Sequence, residues 1–189
     1  FIVVEPVAAE FSRLFAAGMA ALRIGDPLDP ETQVGAIVNE QELATLEAQL
    51  AEATERGATV VTGGRRLPGP GCFLPPTVVT GVDTGMRLAR EEVFGPIAPV
   101  IVVKNEDEAV RVANDSEFGL GGSVWTRDLD RGRRVARRLE TGAVFVNHFT
   151  KSDPRMPFGG VKKSGLGREL ARFGLREFVN IKGINVYEA

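Results

Sequence analysis

The sequence holds one cysteine, one histidine, one tryptophan and one tyrosine in 189 residues. A lone cysteine, Cys72, excludes an internal disulfide framework and fits a reducing, cytoplasmic compartment. A lone histidine, His148, excludes a multi-histidine metal centre, and no metal is expected. No apolar run approaches the roughly 18 residues of a membrane span, so no membrane contact is expected. Neither sign of charge dominates, with 23 basic and 25 acidic residues and a formal net charge of −2. That balance argues against a nucleic-acid partner and against a disordered acidic chain. An initiator Met and a signal-peptide pattern are both missing from the start, Phe1-Ile2-Val3-Val4. An apolar β-branched run there reads as the middle of a strand, and the expectation is a chain that begins partway through a larger protein.

What is present is enough apolar material, 43% of residues, to bury a sizeable core. Val7 to Leu22 carries Phe11, Leu14, Phe15, Met19 and Leu22 near helical spacing. Asn39 with Glu42 three residues on has the spacing of a capping box. Leu43, Leu46 and Leu50 then share one face, and Gly57 stands where the helix should end. Strands are predicted at Ala58–Thr62 and Thr77–Thr80, and a single buried strand over Ile97–Val103. Asn105 is placed to cap a further helix. After it come a strand at Gly121–Thr126, a helix from Asp128 to Leu139, a buried strand at Ala143–Asn147 and a helix starting near Arg168. Strands alternating with helices give an α/β fold with a largely parallel sheet and flanking helices. The alternation from Phe178 to Tyr187 adds a C-terminal extended arm, whose edge invites pairing with another chain. The division expected is a domain over 1–177 and an arm over 178–189.

The stretch Glu91-Glu92-Val93-Phe94-Gly95-Pro96 sets two carboxylates against an apolar run. Burying charge beside such a strand is costly without a partner, and the Gly-Pro step bends the backbone. It is either a ligand-facing loop or an acidic turn. The glycine clusters at Gly119–Val124 and Gly165–Leu170 both lack the third glycine of a dinucleotide fingerprint, and Lys163-Ser164 lacks the glycine of a phosphate loop. They read as tight turns and close backbone approaches. Cys72 has no base or cation nearby in sequence and reads as an incidental thiol. His148 follows the strand end Val146-Asn147 and reads as a structural or polar lining residue rather than a catalytic one. Arg131, Arg133, Arg134, Arg137 and Arg138 spread around their helix as a solvated face. The loop from Phe149 to Phe158 mixes hydroxyls, aromatics and two cations. It is either a solvated linker or a grip for a carboxylate, which arginine holds through two parallel hydrogen bonds and a serine hydroxyl through a third.

Five segments together resemble the NAD(P)-dependent aldehyde dehydrogenases. They are Glu91–Pro96, Ala113-Asn114-Asp115 with Phe118-Gly119-Leu120, Gly142–Asn147, Pro157-Phe158-Gly159-Gly160, and Lys163–Glu169. Their order and spacing match the family across essentially the whole chain. The resemblance implies that a thiolate attacks an aldehyde, hydride leaves for the nicotinamide and water hydrolyses the thioester. It also implies that the nucleophile, the general base and most of the dinucleotide-binding domain lie upstream. No catalytic residue is then expected within these residues, and the 189-residue piece is expected to be inactive alone. Glu92 matches the glutamate that accepts hydrogen bonds from the nicotinamide ribose, and Phe94 the aromatic packed against the nicotinamide end, with NAD or NADP as cofactor. Phe158 matches an aromatic that walls off the aldehyde. Lys151-Ser152-Asp153-Pro154-Arg155 before Pro-Phe-Gly-Gly resembles succinate-semialdehyde dehydrogenases, with Ser152, and by inference Arg155, on the substrate carboxylate. The arm is what family members use to form homo-oligomers.

Overall fold

Capping chemistry sets the helix boundaries in the computed structural model, which describes residues 1–188. Helix α1 (Glu5–Ala20) follows strand β1 (Ile2–Val4) directly, with Pro6 in its first turn, where a missing N–H costs nothing. Helix α2 (Glu40–Glu55) starts where Asn39 Oδ1 accepts the Glu42 N–H at 2.8 Å. It stops in paired C-terminal bonds, Ala58 N to Ala53 O at 2.9 Å and Gly57 N to Thr54 O at 3.0 Å. Gly57 supplies the left-handed residue at φ 97° that this closure needs. Helix α4 (Glu106–Asn114) is capped in the same way, with the Glu108 N–H donated to Asn105 Oδ1 at 2.9 Å.

The chain divides into two compact units, Phe1–Val112 and Ala113–Ala189. In the first, β2 (Thr59–Thr62) runs antiparallel to β3 (Thr77–Thr80), and β3 pairs in parallel with β4 (Ile97–Pro99). Successive residues of a strand face opposite sides, and β3 uses both. Val79 packs with Leu43, Leu46, Leu50 and Ala53 of α2, while Val78 packs with Ala8 and Ala16 of α1. Ile97 and Ala98 divide between the same two clusters. The strand is therefore covered on both faces, the arrangement expected of a parallel sheet. Each fully buried leucine of α2 contributes roughly 1.5–3 kcal/mol. The face of α1 is narrower than its spacing suggests, because Leu14 is 55% exposed while Phe11, Phe15 and Met19 are partly buried.

The predicted single strand over 97–103 divides in two. β4 ends at Pro99, and β5 (Ile101–Val103) pairs in parallel with β1, Ile2 opposite Ile101. The change of partner falls at Val100, whose N–H still reaches Val79 O at 2.8 Å, while the Ile101 N–H goes to Phe1 O at 2.8 Å. Pro99 has no N–H to extend the first ladder. A short helix, α3 (Arg87–Arg90), precedes the acidic loop.

In the second unit β6 (Phe118–Gly119) pairs antiparallel with β9 (Val161–Lys162), and β7 (Gly121–Val124) pairs in parallel with β8 (Ala143–Val146). Helix α5 (Leu129–Ala136) is capped by Asp128, whose Oδ1 accepts the Arg131 N–H at 2.9 Å, and its Gly132 lies against Val146. It ends three residues before the expected Leu139. β8, expected to be buried, is half-buried along its length. Among the described residues of this unit, the buried ones are Gly119, Gly132, Gly160 and Gly174. Backbone approach, more than apolar side chains, thus fills its interior. Helix α6 (Ala171–Glu177) starts later than Arg168 because Glu169 first forms a bridge to Phe158, and Leu170 and Ala171 then take left-handed backbone at φ 64° and 49°. Beyond α6 the residues to 188 form no strand, and Phe178, Ile181, Ile184, Val186 and Tyr187 are highly exposed. Among the described residues no helix is long and apolar enough to cross a membrane, and no cluster of three or more metal-ligating side chains occurs.

The cap on α2 gives a direct test of the first unit. Asn39→Ala should lower its stability by about 1 kcal/mol in urea denaturation. No loss would mean that the helix start is held by packing alone.

Candidate functional site

The acidic loop after α3 separates its two carboxylates. Glu91 is occupied: its Oε1 accepts Arg87 Nε–H at 2.8 Å and its Oε2 accepts Gln49 Nε2–H at 3.1 Å. The Arg87 guanidinium, then the Gln49 amide, hold the Glu91 carboxyl below the usual carboxylate range. Glu92 contributes its main-chain oxygen, which accepts the second Gln49 Nε2–H at 3.1 Å. Its carboxylate is exposed and has no partner among the described residues. Phe94, two residues on, is 63% exposed. The loop then rejoins the sheet where Pro96 O accepts the Thr77 N–H at 2.8 Å. Glu91 is tied into the turn, whereas the Glu92 side chain is left exposed.

One polar edge of α2 holds this region. Gln49 reaches Glu91 and Glu92. One turn on, Glu52 Oε2 accepts the Arg87 N–H at 3.1 Å, and Arg56 Nη1 donates to Gly85 O at 2.6 Å. Sequence reading missed Gln49 and Arg87. A glutamine in a helix reads as a solvated helix former, and its acceptors lie 42 and 43 positions away. Its burial, at 1% exposure, is visible only in the fold.

In the second unit, Ser152, Arg155 and Phe158 share the loop between β8 and β9. Asn147 opens this loop in left-handed backbone, φ 56°, and its amide pairs both ways with Thr126, Oδ1 to the N–H and Nδ2 to the carbonyl, each at 2.8 Å. Asn147 thus fastens the start of the loop to Thr126. His148 is exposed, with its Nδ1 2.8 Å from Phe149 O and its ring stacked 4.3 Å from that of Phe149. Ser152 is exposed. Arg155 is exposed too, but its fork closes on its own neighbour: Nε to Asp153 Oδ1 at 2.9 Å and Nη2 to Asp153 Oδ2 at 2.6 Å. The guanidinium and the Arg155 backbone N–H hold the Asp153 carboxyl far below its usual range. Both Nη1 hydrogens and the second Nη2 hydrogen are left for another acceptor. Phe158 closes the loop through reciprocal backbone bonds with Glu169, at 2.9 and 2.7 Å.

The glycine-dense segment that follows is a backbone crossing, as its departures from the nucleotide fingerprints imply. A Cβ on Gly142 would collide with the Gly159 carbonyl, and one on Gly160 with Ser164. Cys72 lies within 3.4 Å of Glu40 Oε2, which is also paired with Arg66. Partial burial, reinforced by the Glu40 carboxylate, raises the thiol pKa and disfavours the thiolate a nucleophile requires. The five arginines near α5 are exposed. Glu92 and Phe94 belong to the first unit, and Ser152, Arg155 and Phe158 to the second.

Comparison with known proteins gives these loops a context. The model of the aldehyde dehydrogenase family matches residues 1–184. The curated NADP(+) succinate-semialdehyde dehydrogenase of Deinococcus radiodurans is 49% identical over 185 residues, covering 98% of this chain and 39% of its own length. The crystal structure of succinate-semialdehyde dehydrogenase from Burkholderia pseudomallei superposes with a TM-score of 0.92 at 42% identity, over 96% of this chain and 38% of that one. An aldehyde dehydrogenase of Mycobacterium tuberculosis complexed with NAD+ superposes with a TM-score of 0.89 at 37% identity, over 94% and 37%. The chain spans about two fifths of the length of such relatives. With the match running nearly end to end, this chain belongs to the aldehyde dehydrogenase family.

Proposed function

We propose that the protein containing this chain oxidises a short semialdehyde, first of all succinate semialdehyde, to the acid, with NADP+ or NAD+ as hydride acceptor. The observation that carries this reading is the 49% identity to the Deinococcus radiodurans enzyme over 98% of the chain. When bound, the nicotinamide takes up the hydride. The residues here bind and orient. Glu92 presents an exposed carboxylate with no competing partner, and an ionised carboxylate is an acceptor-only group that can receive both hydroxyls of a ribose. Phe94 offers an exposed flat face that limits the wandering of the nicotinamide end and so favours transfer geometry. On the substrate side Phe158 walls off the aldehyde and the Ser152 hydroxyl donates to the distal carboxylate. Arg155 adds the N–H groups that Asp153 leaves free, those of Nη1 and the second of Nη2. Residues 1–177 act as the catalytic (substrate) domain, and the exposed apolar side chains from Phe178 to Tyr187 form an arm that pairs with a second copy.

In the full-length enzyme, Ser152→Ala combined with Arg155→Ala should raise KM for succinate semialdehyde about tenfold or more, the loss expected for hydrogen bonds to a charged group, and leave KM for propanal nearly unchanged. Equal losses on both aldehydes would remove the carboxylate grip. A polypeptide limited to these 189 residues should produce no NADH from aldehyde, because burial and the neighbouring Glu40 raise the pKa of its only thiol and disfavour the thiolate that a nucleophile requires. Aldehyde-dependent NADH from it would make Cys72 a nucleophile after all. Deleting the residues after Glu177 in the full-length protein should reduce its mass in light scattering to that of a smaller assembly. An unchanged mass would count against the arm.

A further inference from the structure

Gln49 is a polar side chain only 1% exposed, on the edge of α2 beside the buried stripe that holds Leu46 and Leu50. Both hydrogens of its amide go to the acidic loop, one to Glu91 Oε2 and one to the main-chain oxygen of Glu92, each at 3.1 Å. Its Oε1 is buried with no partner. An orphaned buried acceptor costs stability, and a leucine of similar size would avoid that cost. A residue chosen for packing alone would not be a glutamine. What the amide provides and leucine cannot is a two-point hold on consecutive residues of the loop. Its second bond ends on the backbone of the very residue whose carboxylate is left unpartnered.

We infer that Gln49 is a positioning residue for cofactor binding: it fixes the Glu91–Glu92 backbone so that the Glu92 carboxylate is held in one orientation toward the ribose hydroxyls. This rests on the cofactor role proposed for Glu92. Arg87 steadies the same loop from the other side by holding Glu91 Oε1 at 2.8 Å. Without Gln49, Glu91 and Arg87 still form an exposed pair, but the Glu92 backbone loses its tie to α2. A carboxylate free to sample several orientations meets the ribose hydroxyls in the productive geometry less often, so the loss falls on cofactor use and not on folding.

A double-mutant cycle in the full-length enzyme separates this role from packing. Initial rates are measured with varied NADP+ for Gln49→Leu, Glu92→Ala and the double variant, with the melting temperature of each. The inference requires Gln49→Leu to lower kcat/KM for NADP+ by about tenfold at a near-unchanged melting temperature. In the Glu92→Ala background the same change should cost less than about twofold, because the side chain it positions is gone while the main-chain oxygen remains. An equal loss in both backgrounds overturns the positioning role and leaves the cofactor role of Glu92 standing. If Glu92→Ala alone leaves NADP+ kinetics unchanged, the cofactor role falls and the inference falls with it. Should Gln49→Leu fail to fold, Glu91→Ala removes one of the two acceptors from an exposed position and takes its place in the cycle. A loss that shrinks in the Glu92→Ala background then supports the positioning role, and an equal loss in both overturns it.

Discussion

The structure of the first unit depends on α2 serving two environments at once. Its leucines at 43, 46 and 50 are buried against β3, while Gln49, Glu52 and Arg56 run along an adjacent edge and reach the segment from Gly85 to Glu92. The hydrophobic contact fixes where the helix lies, and the polar edge passes that placement on to a loop with no regular structure of its own. Loops are generally the least constrained part of a fold. This one is held at Glu91, Glu92 and Pro96, so its exposed groups project from a defined base.

Fixing the loop sorts two chemically identical neighbours. Glu91 is neutralised by a guanidinium and an amide, which makes it a strut. Glu92 has its backbone held and its carboxylate left open. A similar division occurs in the second unit, where Asp153 pairs with one edge of the Arg155 fork while Ser152 stays exposed. In both loops a charged residue is spent on shaping the backbone beside the residue proposed to meet a ligand. That is why net charge or a count of acidic side chains says little about either site.

Much of this was legible in the sequence where the cause is local. The Asn39 cap, the leucine stripe of α2, the end at Gly57 and the turns of the glycine-dense segment follow from spacing within a few residues. The change of partner at Val100 was hidden, since a strand that pairs first on one side and then on the other looks like one apolar run. The half-buried state of β8 was hidden as well, because Ala143-Val144-Phe145-Val146 gives no sign of how much surface arrives to cover it. Gln49 was invisible for a related reason: its meaning depends on residues far along the chain. The aldehyde dehydrogenase resemblance pointed to Glu92 and Phe94 but is silent on what holds them.

The backbone crossing of Gly142 with Gly159, together with the Asn147–Thr126 pairing, clamps the segment from 148 to 157 at both ends. Most side chains within that span are exposed, with Thr150 set against Gly121 as an exception. The exposed ones can therefore change without altering the clamps, whereas the clamps tolerate almost no change themselves. Such a layout allows natural variation to redirect what the segment recognises in a few substitutions while the surrounding chain stays as it is.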